Sequence, residues 1–385
     1  MPEPRSMAAI VGWGMYVPER VVTNEDLAQM MDTSDEWIRT RTGIERRHWA
    51  PDHQATASMA IEAGRQALEV ADADPLDIGL ILLATMTPDY GTPSTACLVQ
   101  SGLGAVHAGA VDLNAGCSGF VYALTLAHAA IASGQEEMVL VIGADTMTRI
   151  VDRQDRSTAV LFGDGAGAVL LRASDGGAGV LATILGADGS GADLLKVPAG
   201  GSALPASAES LAAREHYLTM DGHQVFRFAT RVLPRVIERV AERAGLEIGD
   251  IDWIIPHQAN ARILEATARR LRLDLARFYT NIQEYGNTSA ASVPIALCEA
   301  VRKGHVIPGQ ILVLAGFGAG LTWAAAAVRW GPGARKRRAP FYRRWWRWML
   351  YRWAAAHSVG RRLSRRLCAS KPLASLLCRL RRRPQ

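Results

Sequence analysis

Residues 117–143 of this chain read CSGFVYALTLAHAAIASGQEEMVLVIG, and residues 289–315 read SAASVPIALCEAVRKGHVIPGQILVLA. In each stretch an Ala-rich helical pattern stops at a glycine, Gly134 or Gly304, and the apolar run that follows predicts a buried strand. One pattern that occurs twice in the same order indicates a chain built from two similar halves of alternating helices and strands.

The same alternation extends outward from these two stretches over residues 8–330. The predicted strands lie at 8–13, 79–85, 138–144, 168–172, 252–256 and 311–316. The predicted helices lie at 54–71, 118–133, 221–244, 259–271 and 289–303. We therefore expect one α/β half over 1–172 and a second over 178–330, joined around 174–177, with a cleft where corresponding loops of the halves meet.

The composition excludes several classes of protein. Of 385 residues, 49% are hydrophobic and 21% are charged, which is typical of a globular chain with a large core and not of a disordered or fibrous one. The five cysteines are odd in number and lack metal-ligand spacing, so we expect neither a disulfide framework nor a metal site. Because no apolar segment follows the first residues and no run of 18 apolar residues occurs, we expect a cytoplasmic protein without a transmembrane helix.

Positive charge is concentrated at the end of the chain. Residues 331–385 hold 17 of the 43 Lys and Arg and no Asp or Glu, so residues 1–330 carry a net charge of −11. The segment Arg343–Trp353 alternates arginine with four tryptophans, a composition that suits the headgroup region of an anionic membrane. Binding to single-stranded nucleic acid and recruitment of an acidic carrier protein are alternatives. We keep peripheral membrane contact and a flexible extension without a partner as the main hypotheses, and expect no nucleic-acid partner.

Cys117 is the first candidate for chemistry. It lies among small residues in Asn114-Ala-Gly-Cys-Ser-Gly-Phe120, at the start of the predicted helix 118–133. Exposed N–H groups and the positive end of a helix dipole favour the thiolate, which is the nucleophilic form of a cysteine. The alternative from the residues alone is a buried structural cysteine.

His257 and Asn287 are the other two candidates. His257 follows the predicted strand 252–256, at the strand end where α/β proteins place reactive groups, and Asn287 follows a glycine ahead of the last predicted helix. Taken singly, they could be a structural histidine and a helix-capping asparagine. A Cys, His and Asn set also occurs in proteases, although a protease gives no reason for two similar halves.

Five longer motifs, spread over residues 8–330, carry a family resemblance. The chain resembles the β-ketoacyl-ACP synthase III family, condensing enzymes of the thiolase-like superfamily that start fatty acid synthesis. The motifs are Asp32–Ile44, Cys117–Phe120, Leu161–Ala168, Pro256–Asn260 and Gly286–Pro294. The resemblance implies a thiolase-like α/β fold of two pseudo-duplicated βαβαβ halves in a layered α-β-α-β-α arrangement, and a homodimer.

The resemblance also implies a reaction and the residues that perform it. An acyl-CoA primer and malonyl-ACP (acyl carrier protein) would undergo decarboxylative Claisen condensation to a 3-oxoacyl-ACP, without a cofactor. Cys117 would carry the acyl group, and His257 and Asn287 would stabilise the enolate. The backbone N–H groups of Cys117 and Ala319 would form the second oxyanion hole, where this chain has alanine in a turn that is glycine in the family.

A short predicted helix carries the expected CoA contacts. Thr33 followed by Glu36 predicts a capping-box start, and the spacing then places Trp37 and Arg41 on one face. From the residues alone, Trp37 would be a surface indole covered by the aliphatic part of a neighbouring side chain. The resemblance implies instead that Trp37, Arg41 and Arg156 contact CoA by stacking and by phosphate binding.

The resemblance implies two further sites. Arg227, Arg262 and Arg269 would form a basic patch beside the cleft, suited to an acidic carrier protein. Thr92 aligns with the position that closes the acyl channel across the dimer, which is a bulky aromatic in acetyl-specific members. Because threonine leaves more volume in the channel than an aromatic side chain, we expect medium or long acyl primers. The Tyr90 side chain would cancel this effect if it turned into the channel and filled the same volume.

Two other functions remain open at this stage. The chain could be a condensing enzyme or acyltransferase of secondary metabolism with the same nucleophile, or a non-catalytic partner subunit. The presence of both His257 and Asn287 favours decarboxylation, because simple acyl transfer has less need of a pair that stabilises an enolate.

Overall fold

Two β-sheets form the framework of the computed structural model, which describes residues 7–175, 177–331 and 349. The strands are β1 (Met7–Tyr16), β2 (Val21–Thr23), β3 (Arg46–His48), β4 (Leu80–Ala84), β5 (Gly109–Leu113), β6 (Met138–Asp145), β7 (Gly165–Ser174), β8 (Gly179–Ala187), β9 (Leu195–Lys196), β10 (Thr219–Met220), β11 (Trp253–Pro256), β12 (Ile311–Gly318) and β13 (Thr322–Arg329). The α-helices are α1 (Asn24–Ala28), α2 (Asp35–Thr42), α3 (Thr56–Ala71), α4 (Thr95–Leu103), α5 (Gly119–Ala132), α6 (Arg156–Ala159), α7 (Ala208–Ala212), α8 (Gly222–Arg243), α9 (Ala261–Leu271), α10 (Ile282–Tyr285) and α11 (Ser292–Arg302).

The two sheets repeat one strand order. The first runs β1-β7-β6-β4-β5 and the second runs β8-β13-β12-β11. Each begins with two antiparallel pairs, which are followed by two parallel pairs in the first sheet and one in the second. The position of β5 in the second sheet is taken by an isolated parallel bridge between Ile254 and Phe278. The predicted pseudo-duplication is therefore confirmed, and the chain passes from one sheet to the other between Ser174 and Gly179.

The helices form three layers around the sheets. α5 and α11 lie between the sheets, since α5 contacts β4 and β6 on one side and β12 and β13 on the other. α3 and α4 cover the outer face of the first sheet, and α8 packs with α9 over the second. β6 and β12 are buried along their whole length because helices cover both of their faces. The predicted α-β-α-β-α layering is confirmed.

The two central helices end alike. Gly134 follows α5 with φ 76° and Gly304 follows α11 with φ 77°, a left-handed conformation that glycine adopts without cost. Each glycine leads into a central strand, β6 or β12, as the repeated pattern predicts.

Several elements have no counterpart in the sequence prediction, among them three strands of the two main sheets, β5, β8 and β13. β13 contains four consecutive alanines, which favour a helix by propensity, yet it pairs with β8 and β12 in the middle of the second sheet. Small side chains there let α5 and α8 approach the sheet from both sides. Tertiary packing thus overrides local preference in this strand.

The basic tail lies almost wholly outside the described residues. The predicted Arg/Trp segment, apart from position 349, and the cysteines Cys368 and Cys378 lie outside the described residues, so what was inferred of them remains a prediction. Among the described residues, none of the helices is long and apolar enough to cross a membrane.

Candidate active site

Cys117, His257 and Asn287 line one cavity, although they are 140 and 30 residues apart in the chain. All three are buried, and the cavity, including its mouth, encloses about 660 Å³. Its other walls are largely apolar and include Met86, Met147, Phe226, Asn260, Phe317 and Gly318. The structure thus brings together the three side chains that the sequence singled out.

Cys117 lies two residues before the first turn of α5, between the turn at Gly116 and the cap residue Ser118. The pKa of the thiol is raised to about 12, chiefly by burial; the Ser289 side chain lowers the pKa and the buried Asp145 raises it. Burial therefore opposes the thiolate that the start of a helix is expected to favour. With its pKa raised to about 12, the buried thiol is neutral near pH 7.

His257 directly follows β11, and its backbone N–H donates to the Ala315 carbonyl on β12 at 2.8 Å. Its ring packs edge-on against Phe317, with centroids 5.2 Å apart, and its Nδ1 lies 2.5 Å from Ser292 Oγ. Burial lowers the pKa of the imidazole to about 3. The ring is therefore neutral, and it can donate one N–H but is a weak base.

Both backbone polar groups of Asn287 are hydrogen-bonded. Its N–H donates to the Leu161 carbonyl at 2.8 Å, and its own carbonyl accepts from Gly163 N–H at 3.0 Å. The side-chain Oδ1 accepts from Ser289 N–H at 2.9 Å. Because the oxygen accepts this bond, the Nδ2–H groups are the part of the amide that can donate to a developing anion.

Ser289 and Asp145 are site residues that sequence reasoning missed. Asp145 is fully buried and accepts hydrogen bonds from Thr85, Met86 and Thr87, and from Ala290 N–H at 3.1 Å. The Ser289 hydroxyl donates to Met86 Sδ at 3.4 Å and lowers the pKa of both Asp145 and Cys117, whereas burial, the larger effect, raises the pKa of the aspartate. The available signal was Asp145 itself, a carboxyl group at the end of an apolar strand.

The turn after β12 packs directly against the nucleophile. A Cβ added to Gly318 would lie 2.4 Å from Cys117 N, and one added to Gly116 would lie 2.7 Å from Ala319 N. The N–H groups of Cys117 and Ala319, the predicted oxyanion pair, are thus close neighbours. Ala319 is not among the non-glycine residues of the described chain with positive φ, so alanine needs no glycine conformation here.

The predicted CoA residues form one cluster on the surface beside the cavity. The guanidinium of Arg41 lies 4.5 Å from the Trp37 ring centroid, and that of Arg156 lies 4.9 Å from it. Asn260, which lines the cavity, donates to the Arg41 carbonyl at 2.9 Å. The cluster is therefore tied to the cavity wall.

One detail of this helix differs from the prediction. The cap of α2 is Ser34, whose Oγ accepts from Trp37 N–H at 3.1 Å, and not Thr33. The side chain one residue later reaches the third N–H of the helix, so the register of the cap shifts by one.

The three predicted carrier-protein residues lie on adjacent helices. Arg227 on α8 and Arg262 and Arg269 on α9 are exposed, and the guanidinium of Arg262 lies 5.8 Å from the ring centroid of Phe226, which lines the cavity. The structure therefore places positive charge near the cavity wall.

Thr92 is exposed and does not line the cavity of its own chain. It belongs to the loop before α4, which is anchored to β5 because Asp112 accepts from Thr95 N–H and Ala96 N–H at 2.6 and 2.7 Å. Any role at an acyl channel would have to be exerted on a second copy of the chain.

The part of the chain that the structure describes holds three free cysteines, Cys97, Cys117 and Cys298. Within the same part, no three His, Cys, Asp or Glu side chains form a group that could hold a metal ion.

Known proteins resemble this chain over most of its length. Models of "3-oxoacyl-[acyl-carrier-protein (ACP)] synthase III" and of its C-terminal region match residues 111–189 and 241–330. The β-ketoacyl-[acyl-carrier-protein] synthase III of Caldanaerobacter subterraneus is 51% identical over 323 residues, 84% of this chain and 98% of that one. The solved 3-oxoacyl-[acyl-carrier-protein] synthase III of Aquifex aeolicus is 44% identical, with a TM-score of 0.78 over 84% of this chain and 100% of that one. The solved 3-oxoacyl-(acyl carrier protein) synthase III of Pseudomonas aeruginosa is 43% identical, with a TM-score of 0.79, and the match covers 85% of this chain and 99% of that one. The chain belongs to the β-ketoacyl-[acyl-carrier-protein] synthase III family of acyltransferases.

Proposed function

We propose that this chain condenses an acyl-CoA primer with malonyl-ACP to give a 3-oxoacyl-ACP and so initiates fatty acid synthesis. The observation that carries the proposal is the shared cavity of Cys117, His257 and Asn287, with one nucleophile and two neutral donors in apolar surroundings. Such a site supports acyl transfer to sulfur and stabilisation of a developing oxyanion.

In the first half-reaction, the sulfur of Cys117 attacks the thioester carbonyl of the acyl-CoA. The backbone N–H groups of Cys117 and Ala319 stabilise the tetrahedral oxyanion, which then collapses with loss of CoA. The thiol proton leaves with the sulfur of CoA, so that Cys117 ends as a thioester and no net charge is created in the cavity. This balance suits a site in which burial keeps the thiol neutral.

In the second half-reaction, malonyl-ACP loses CO₂ and becomes an enolate. His257 Nε2–H and Asn287 Nδ2–H donate to the enolate oxygen, where the negative charge develops. The enolate carbon then attacks the acyl group on Cys117, and the released thiolate takes a proton from water. Neutral donors are effective here because apolar surroundings strengthen each hydrogen bond to the anion.

A product-mass experiment tests the proposal. The chain is incubated with malonyl-ACP and a graded set of acyl-CoA primers, and the ACP-bound products are weighed. We expect 3-oxoacyl-ACP two carbons longer than the primer, and an acyl adduct on Cys117 when malonyl-ACP is omitted. Formation of the adduct without condensation would indicate an acyltransferase instead, and absence of both would indicate a non-catalytic subunit.

We propose further that the preferred primer is a medium or long acyl-CoA, because Thr92 is small at the position that closes the channel in the family. Comparison of kcat/KM across acyl-CoA lengths tests this, and a maximum at acetyl-CoA would refute it. The two methionines of the cavity, Met86 and Met147, are unbranched and can adjust to different chain lengths.

A homodimer is proposed from the free edge of the first sheet. β5 is an edge strand on which Val111 is 45% exposed, and the loops around it expose Tyr90 and Val106 still more. An apolar sheet edge of this kind favours pairing with a second copy. Sedimentation velocity of the chain and of Val111→Asp tests it, with dimer expected for the first and a shift toward monomer for the second.

A cytoplasmic enzyme that contacts membranes through residues 331–385 is proposed from the Arg/Trp composition of that segment. Co-sedimentation with anionic liposomes compares the full chain with residues 1–330. We expect the full chain alone to pellet, and more weakly at high salt. If the full chain and residues 1–330 pelleted equally, residues 331–385 would have no role in membrane contact.

A further inference from the structure

A buried serine hydroxyl lies beside the Nδ1 nitrogen of His257. Ser292, the first residue of α11, places its Oγ 2.5 Å from His257 Nδ1, on the side of the ring away from the Nε2 that the reaction uses. Both side chains are almost fully buried, at 2% and 1% exposure. The pair is therefore shielded from water, and the hydroxyl is the polar partner that the structure gives to Nδ1.

The proton on this hydrogen bond decides what Nε2 can do. A neutral imidazole has a single N–H, and the group bonded to one nitrogen selects the tautomer of the other. If Ser292 donates to Nδ1, Nε2 carries the proton and can donate to an enolate. If Nδ1 donates to Ser292, Nε2 presents a lone pair that repels the enolate oxygen.

The other contact of Ser292 favours the first arrangement. The Gln258 N–H points at Ser292 Oγ at 3.4 Å, so that oxygen already faces a donor. A hydroxyl approached by an N–H keeps its own proton free to donate, and Nδ1 is the acceptor within reach. Packing of Phe317 against the ring at 5.2 Å holds the imidazole in this position.

We propose that Ser292 is a positioning residue that donates its hydroxyl proton to His257 Nδ1 and so holds the imidazole in the tautomer with hydrogen on Nε2. The inference rests on the proposed function, because only enolate stabilisation requires that tautomer. Ser292 touches no substrate in this role and acts through His257. Acylation of Cys117, which needs the backbone donors instead, is independent of it.

The experiment compares Ser292→Ala and Ser292→Thr with the unmodified chain. Two rates are measured: release of CO₂ from malonyl-ACP, and acylation of Cys117 by acyl-CoA followed by intact-protein mass spectrometry. We expect Ser292→Ala to lose about 10- to 100-fold in CO₂ release, the range seen when an orienting partner of a histidine is removed, with acylation within about threefold. Ser292→Thr, which keeps the hydroxyl, should restore most of the loss.

A matched control is available far from the cavity. Ser210 is equally buried and its Oγ lies 2.9 Å from His216 Nε2, so Ser210→Ala removes the same kind of pair outside the site. It should change neither rate. A comparable loss of CO₂ release in Ser210→Ala would show that the effect of Ser292→Ala is one of stability and would overturn the proposal.

A measurement on the unmodified chain keeps the proposal testable if Ser292→Ala fails to fold. Nitrogen-15 NMR of labelled histidine, with the His257 signals assigned by their loss in His257→Asn, distinguishes protonated from unprotonated ring nitrogens. We expect a proton on Nε2 and none on Nδ1. A proton on Nδ1, or CO₂ release unaffected in Ser292→Ala, would overturn the role of Ser292. Absence of CO₂ release from the unmodified chain would instead refute the proposed function.

Discussion

At the residue scale, Gly318 is where the backbone leaves least room around the nucleophile. Its Cβ position lies 2.4 Å from Cys117 N, and backbone cannot rotate away as a side chain can. We expect Gly318→Ala to displace the oxyanion donors and slow acylation of Cys117 several-hundred-fold, since one lost donor costs about 3 kcal/mol. The measurement is the rate of acyl-enzyme formation by mass spectrometry. Ala319→Gly, which keeps its N–H, is the control and should acylate at close to the normal rate.

A second residue-scale prediction concerns the protonation of Cys117. Burial raises the pKa of the thiol to about 12, so between pH 7 and 10 the thiolate is a minor species that grows tenfold per pH unit. We therefore expect the rate of alkylation by iodoacetamide to rise throughout this range without levelling off. Alkylation is followed on the Cys117 peptide by mass spectrometry, in a background that carries Cys97→Ser, Cys368→Ser and Cys378→Ser, because these other thiols can also react. A plateau below pH 9 would mean that the helix start, and not burial, sets the pKa.

The site shows which residues a sequence can reveal. Cys117, His257 and Asn287 stand in recognisable surroundings, and each meets the others in the cavity. Ser292 and Asp145 gave no comparable signal, because a serine within a helix and an aspartate at a strand end occur in every α/β chain. Ser292 contacts His257, 35 positions away, and Asp145 acts electrostatically on Cys117, 28 positions away; only the fold brings these residues together.

At the element scale, α2 carries the CoA prediction. Two guanidiniums lie over one indole, those of Arg41 and Arg156 over Trp37. We expect Trp37→Ala to raise KM for acyl-CoA about tenfold and to leave kcat nearly unchanged, because the lost stacking and cation–π contacts serve binding and not the chemical step. Arg39→Ala on the same helix, which only breaks exposed ion pairs with Asp35 and Glu45, should leave both constants unchanged. A fall in kcat without a change in KM would contradict the assignment.

The elements themselves follow from sequence to different degrees. α5 with β6 and α11 with β12 are predictable, because long apolar periodicity and a glycine stop agree with the final packing. β13 is not, since its alanines favour a helix and only the neighbours β8 and β12 make it a strand. Elements whose local preference agrees with their final packing can be predicted from sequence. An element whose local preference disagrees takes its structure from its neighbours in the sheet.

At the scale of the whole molecule, the loop before α4 makes a prediction about two chains. Thr92 is exposed and absent from the cavity of its own chain, so an effect on primer length must be exerted on a partner. We expect Thr92→Phe to shift the maximum of kcat/KM toward short acyl-CoA, because the larger ring fills volume that a long acyl chain would occupy. The same substitution should leave KM for malonyl-ACP unchanged.

Hybrid dimers separate action on the partner from action within one chain. When Cys117→Ala is combined with Thr92→Phe in one protomer, the single working cysteine belongs to the unmodified protomer and faces the introduced ring. When Thr92→Phe is placed beside the intact Cys117 and its partner carries Cys117→Ala alone, the working site faces a threonine. We expect long primers to be rejected by the first hybrid and accepted by the second, as read from acyl adducts on Cys117. The reverse result would place the channel within a single chain, and equal behaviour of the two hybrids would remove Thr92 from the primer site.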